Sequence, residues 1–164
     1  MELYIIRHAW AGHYGDPEWP DDFDRPLTEE GKERFAEVVA RLVERGFAPE
    51  IIATSPLVRC RQTAELVAAG VPGDPPVVER GELEPGSDFD AMLAWTAEQA
   101  ETYDRIAWVG HAPDVSHLAC GLIAEARAWI RFAKGATAAI RFDDTPRPGE
   151  GKLCWLATAK LLGC

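Results

Sequence analysis

Leu3-Tyr4-Ile5-Ile6-Arg7-His8 decides how the rest of this chain is read. Four apolar residues in a row, without alternation, mark a strand covered on both faces, as in a parallel sheet between helical layers. The run ends abruptly in an arginine and a histidine. Two later stretches repeat the design: Ile51-Ile52-Ala53 leads into Thr54-Ser55-Pro56-Leu57-Val58-Arg59, and Ile106-Ala107-Trp108-Val109 leads into Gly110-His111-Ala112-Pro113. In open α/β sheets, ligands gather in the crevice at the carboxyl ends of the strands. Lying side by side, these three strands would bring Arg7, Arg59, His8 and His111 to one point, a set suited to phosphoryl transfer.

Residues 11–25 are rich in Gly, Pro, Asp and Trp and keep no period, so they read as a long surface loop of the kind that often carries function. Thr28 followed by Glu29 and Glu30 predicts a helix start, with a capping hydroxyl and an acidic first turn. Phe35, Val38, Val39, Leu42 and Val43 form its apolar stripe, and Gly46 ends it. Ser55-Pro56 reads as the cap and first turn of a second helix reaching residue 69. Residues 75–79 carry a weakly patterned strand, and 87–102 a helix. Ala112-Pro113 opens another helix, with the stripe Val115, Leu118, Ala119, Leu122 and Ile123. Residues 136–142 and 153–159 read as two closing strands joined by a Pro/Gly turn. The order βαβαβαβα with two late strands predicts an α/β fold: a three-layer α/β/α sandwich with a mostly parallel central sheet, one domain over residues 1–164.

A chain of 164 residues buries enough surface to need no disulfide staple. Its four cysteines lack CxxC spacing, which speaks against zinc and thioredoxin-like chemistry; Cys60 and Cys120 fall inside helices and read as small core residues. No basic-then-apolar leader is visible, and no window approaches the roughly 18 apolar residues of a membrane span. A cytoplasmic protein without a membrane partner is the expectation. The net charge of −10 argues against nucleic acid, whose binding needs clustered Lys and Arg. Positive charge serving a phosphate pocket must then be concentrated locally.

Arg7-His8-Ala9, Arg25-Pro26-Leu27-Thr28 with Gly31, Ser55-Pro56 with Arg59, Gln62-Thr63-Ala64 and Gly110-His111 together resemble the histidine phosphatase (phosphoglycerate mutase-like) superfamily, and within it the SixA-type phosphohistidine phosphatase branch. The resemblance implies a phosphoglycerate mutase-like fold and makes His8 the nucleophile, attacking phosphorus to form a phosphoenzyme. Arg7 and Arg59 would clamp the nonbridging oxygens with their planar forks. Arg59 is also expected near a helix N-terminus whose free N–H groups favour an anion. His111 would hydrogen-bond the transferring group. Arg25 lies near the entrance, where it would touch phosphate or pair with Asp24 or Glu29. Ala9 stands where the superfamily most often has glycine, a difference of one methyl group.

Many superfamily members use a carboxylic acid after the third strand to protonate the leaving oxygen. Glu79, Glu82 and Glu84 lie in that region, with Glu82 and Glu84 nearest a strand-exit loop; a run of acids is equally a solvated face. SixA-type members depend less on such an acid, because phosphohistidine leaves as imidazole from a labile P–N bond. Arg61, two residues beyond Arg59, points elsewhere on the helix and has no role. His117 lies opposite the apolar stripe and reads as exposed, as does His13 in the long loop near the cleft mouth. Trp10 and Trp19 in or beside that loop would rim the site or anchor the loop.

About two dozen residues separate Glu84 from the Ile106 strand, mostly one helix, which leaves no room for the lid a mutase needs. Water is then the phosphoryl acceptor. The expected activity is that of a cofactor-independent phosphatase acting on phosphohistidine in a phosphorylated protein, or on a small phosphomonoester such as a sugar or nucleotide phosphate. Two other classes compete: a phosphate-binding or interaction protein without catalysis, and a metal-dependent hydrolase. The spacing of the four histidines fits no short metal-ligand motif.

Overall fold

The computed structural model describes residues 1–124 and 128–164. Its strands are β1 (Glu2–Arg7), β2 (Ile51–Thr54), β3 (Val77–Glu79), β4 (Arg105–Gly110), β5 (Thr137–Arg141) and β6 (Lys152–Ala157). Its helices are α1 (Glu29–Val43), α2 (Val58–Gly70), α3 (Phe89–Gln99), α4 (Asp114–Ile123) and α5 (Ala159–Leu162). The six strands form one sheet in the order β3-β2-β4-β1-β5-β6. β3, β2, β4 and β1 run parallel, and β5 and β6 close the sheet antiparallel.

The three apolar runs therefore lie side by side, with β4 inserted between β1 and β2. Register matches the ends as well: Arg7 stands opposite Gly110, and Thr54 opposite Val109. All three strands are buried because each faces a helical layer on both sides. Tyr4, Ile6, Ile52, Ala107 and Val109 pack into the core under α1, α2 and α5. Leu3, Ile5, Ile51, Ala53, Ile106 and Trp108 pack into the core under α3 and α4. The alternation is that of a strand whose successive side chains point to opposite faces, and it yields the three-layer sandwich the sequence predicts. Trp108 is buried without stranding its indole N–H, which donates to Thr96 Oγ1 at 3.0 Å.

Thr28 caps α1 as expected, its hydroxyl accepting from Gly31 N at 3.0 Å. Gly31 is required here: a Cβ would lie against the Trp10 carbonyl oxygen. The predicted stripe Phe35, Val38, Val39 and Leu42 is buried. Gly46 follows the helix in the left-handed region, with φ 92°. Among the described residues no helix is long and apolar enough to cross a membrane.

Two boundaries differ from expectation. Ser55-Pro56 does not cap α2; Leu57 holds that position without a side-chain hydrogen bond. The Ser55 hydroxyl lies instead 2.9 Å from His111 Nε2, and Leu57 N reaches it only at 3.5 Å. The last strand stops at Ala157, and Thr158 caps the short helix α5 by accepting from Leu161 N at 3.2 Å. A brief apolar run does not separate strand from helix by pattern alone.

Candidate active site

A cleft of about 640 Å³ opens at the carboxyl ends of β1 and β4, and Arg7, His8, Arg25, Arg59, His111 and Lys134 line it. The four residues singled out at strand and helix ends are thus brought together. His8 follows β1 directly, and its backbone N–H donates to Gly110 O at 3.0 Å, which ties the two strand ends to each other. Arg59 is the second residue of α2. Thr63 braces that turn from below: its hydroxyl donates to Arg59 O at 2.7 Å and accepts from Ala9 N at 3.0 Å. Gln62 does the same for the entrance, accepting from Leu27 N at 2.8 Å.

The hydrogen bonds set the histidine tautomers. His8 Nδ1 lies 2.7 Å from Ala9 O. A carbonyl oxygen only accepts, so Nδ1 carries the proton and Nε2 keeps its lone pair. Burial, together with Arg59, His111 and Arg7, holds His8 well below the ordinary imidazole range, so it is neutral at pH 7. The Arg59 guanidinium reaches His111 Nδ1 at 3.2 Å, so that nitrogen accepts, and Nε2–H donates to Ser55 Oγ. Burial, then Arg59, lowers His111 to about 4. The two rings sit 5.5 Å apart.

This depression carries a sign that can be tested. The unfolded chain takes up a proton on His111 near the ordinary value, whereas the folded chain resists until about pH 4. Unfolded molecules therefore bind more protons in that window, and stability falls as pH falls through it, by about 3 kcal/mol for His111 over the full span. Thermal unfolding from pH 7 to 4.5 should show a larger loss for the wild type than for His111→Gln.

Asp22, Asp114 and Lys134 escaped the sequence reading. Asp22, in the long loop, pairs with Arg59 at 2.9 Å and with Arg25 at 2.7 Å, and its carbonyl accepts from Arg59 at 2.7 Å. Although burial opposes it, Arg25 and Arg59 hold the Asp22 carboxyl below its ordinary value. Arg25 therefore pairs with Asp22, not with Asp24 or Glu29, while also donating to Gly12 O at 2.8 Å. The next loop residue, Phe23, accepts from Val58 N at 3.0 Å. That first-turn N–H, expected to be free for an anion, is taken by the loop. The only advance signal was the density of aspartates in residues 16–24.

Glu82 and Glu84 do not line the cleft. Glu82 pairs with Arg80 at 2.7 Å, and Glu84 is exposed. Glu79 pairs with Arg61 at 3.4 Å, which confirms that Arg61 points away from Arg59. The carboxylate that does line the cleft is Asp114, whose Oδ2 accepts from Gly86 N at 3.0 Å. His13 lines the mouth while remaining exposed; His117 is exposed against Trp129 on the other side of α4. Cys60 is buried 3.4 Å from His111 Nε2, and burial pushes its thiol up to about 12, so it stays protonated. Among the described residues, Arg7 Nε and Arg59 Nε are buried donors without a protein partner. The cleft thus presents cationic donors, two neutral histidines and one free imidazole lone pair, the equipment for moving a phosphoryl group onto nitrogen.

Fold and cleft define an α/β protein with a cation-lined cleft at parallel strand ends. The sequence profile of the histidine phosphatase superfamily (branch 1) matches residues 3–117, and the chain belongs to that superfamily. An uncharacterized protein of Picosynechococcus sp. (strain ATCC 27264 / PCC 7002 / PR-6) is 42% identical over 120 residues, covering 73% of this chain and 71% of that one. The protein histidine phosphatase SixA, solved with tungstate, shares the fold with a TM-score of 0.84 at 24% identity, over 99% of each chain. A provisionally assigned SixA phosphohistidine phosphatase from Agrobacterium tumefaciens superposes with a TM-score of 0.76 at 26% identity, over 96% of this chain and 97% of that one. Family membership supports phosphatase activity on a phosphorylated substrate.

Proposed function

We propose that this protein hydrolyses phosphohistidine on a protein through a phosphoenzyme at His8, with residues 1–164 acting as one catalytic domain. The observation that carries the mechanism is the His8 Nδ1–H bond to Ala9 O, which leaves a neutral Nε2 lone pair facing a cationic cleft. In the first step Nε2 attacks phosphorus in line, the N–P bond forms, and the bond to the leaving group breaks. Arg7 and Arg59 take the charge on the nonbridging oxygens. Binding a phosphoryl dianion favours protonation of the adjacent His111. Arg59 turns its bond with His111 to a phosphoryl oxygen, and the imidazolium then donates through Nε2–H to Ser55 and through the released Nδ1–H to the phosphoryl group. In the second step water attacks the phosphohistidine, the N–P bond breaks, and the neutral His8 ring is restored.

Choice of substrate follows from where the carboxylates lie. Glu82 and Glu84 lie outside the cleft, Asp22 is held as an anion by two arginines, and Asp114, the carboxylate on the cleft wall, is occupied through Oδ2 in accepting from Gly86 N. An alkoxide leaving group needs a strong proton donor; an imidazole leaving from a P–N bond needs much less. The rim residues His13, Tyr14, Ala112 and Pro113 are all exposed, which suits a phosphate displayed on a protein surface.

The test is a panel in excess chelator: a phosphohistidine-bearing protein, p-nitrophenyl phosphate, and common sugar and nucleotide phosphates. Selective turnover of the phosphoprotein is the expected result. High efficiency confined to the small esters would keep His8 chemistry and remove the protein substrate.

A further inference from the structure

Beside the cleft lies a second cavity of about 560 Å³, lined by Trp10, Arg34, Arg131 and Lys160, together with Arg7 and Lys134, which also line the cleft. Its wall carries five cations and no Asp or Glu among the described residues. In a chain of net charge −10 that concentration calls for a physical reason. Most arginines and lysines here are neutralised by a nearby carboxylate. Among the described residues the cations without an Asp or Glu partner are these five and two others, Arg141 and Arg147.

The cations are also held in place. Arg34 lies over the Trp10 ring at 4.2 Å and donates to the Cys164 backbone oxygen at 3.0 Å. Arg7 donates to Phe132 O at 2.9 Å, which leaves its other terminal nitrogen for a ligand. Burial, then Arg7 and Arg25, lowers Lys134 from its ordinary value. Like charges gathered from β1, α1, residues 131–134 and α5 repel one another, and an anionic ligand reverses that cost.

We propose that this basic pocket binds acidic side chains flanking the phosphorylated histidine of a polypeptide substrate. The inference rests on the protein-phosphohistidine reading above and adds a sequence preference to it. Two adjoining cavities of about 640 and 560 Å³ exceed what one phosphomonoester fills, and the outer cations Arg131 and Lys160 are exposed, where an extended chain crosses them. Carboxylates suit the site because the Arg forks accept them in pairs while Trp10 covers their methylene stems.

The experiment compares two phosphohistidine peptides that differ only in flanking Glu against Gln, with wild type and the Arg131→Gln/Lys160→Gln double variant. Neither substituted residue lines the phosphoryl cleft. The wild type should favour the Glu peptide by about tenfold in kcat/KM, carried by KM. The double variant should lose that preference while turning over the Gln peptide as before, and high salt should mimic it. Equal efficiency on both peptides with wild type, or a preference that survives in the double variant, overturns the proposal. Unphosphorylated Glu peptide is also tested as a competitor of p-nitrophenyl phosphate turnover. Competition by the Glu but not the Gln peptide supports the pocket even if neither phosphopeptide is a substrate, a result that would remove only the phosphohistidine reading. No competition from either peptide counts against the pocket itself.

Discussion

His8→Ala should bring turnover down to background, a loss of at least ~10³-fold, and should abolish the phosphoenzyme at the same time. The two losses belong together because the same Nε2 lone pair makes the covalent intermediate and is regenerated from it. The substitution removes a side chain that belongs to neither apolar core, and its hydrogen bond, Nδ1–H to Ala9 O, is only to the adjacent residue. Cooperative thermal unfolding should therefore persist. Rapid quench with labelled substrate reads the intermediate, which for an N–P bond is labile in acid and stable in alkali. Wild-type turnover without any trapped N–P species, or substantial turnover by His8→Ala, would move the nucleophile elsewhere.

Arg59→Ala should cost 10²–10³-fold in kcat/KM, in the range seen when a preorganised transition-state donor is deleted. Arg59 is 4% exposed and donates to His111, so its removal takes away a phosphoryl donor and frees His111 Nδ1 as well. It also releases Asp22 from one of its two arginines. Arg61→Ala is the internal control. That side chain makes only a half-exposed pair with Glu79, worth at most about 1 kcal/mol of stability and none of the chemistry. Equal effects of the two substitutions would mean that the phosphoryl group does not sit against Arg59. Arg59→Lys should recover little, because a single ammonium cannot hold His111, Asp22 and two phosphoryl oxygens from one planar fork.

Much of this was legible in the chain. An unbroken apolar run reports burial on both faces, whatever packs against it, so β1, β2 and β4 could be read before their order was known. Residues at the ends of such strands inherit a common location, and for that reason Arg7, His8, Arg59 and His111 could be gathered in advance. Thr28 was readable on similar grounds, since a helix cap uses groups within one turn of each other. The failures share a different cause. Ser55 has a good capping sequence yet spends its hydroxyl on a histidine 56 positions away. The candidate acids Glu82 and Glu84 have the right neighbourhood along the chain, but the turn after β3 aims them out of the cleft.

The sequence by itself determined the layers, the parallel block of strands and the chemistry at their ends, because those depend on contiguous pattern and residue type. Only the tertiary structure decided that β4 slots between β1 and β2, that Asp22 of the long loop closes onto Arg25 and Arg59, and that cations from β1, α1, residues 131–134 and α5 form one basic pocket. These are partnerships between side chains distant along the chain. Their energies depend on distance and burial in space, which no local pattern records.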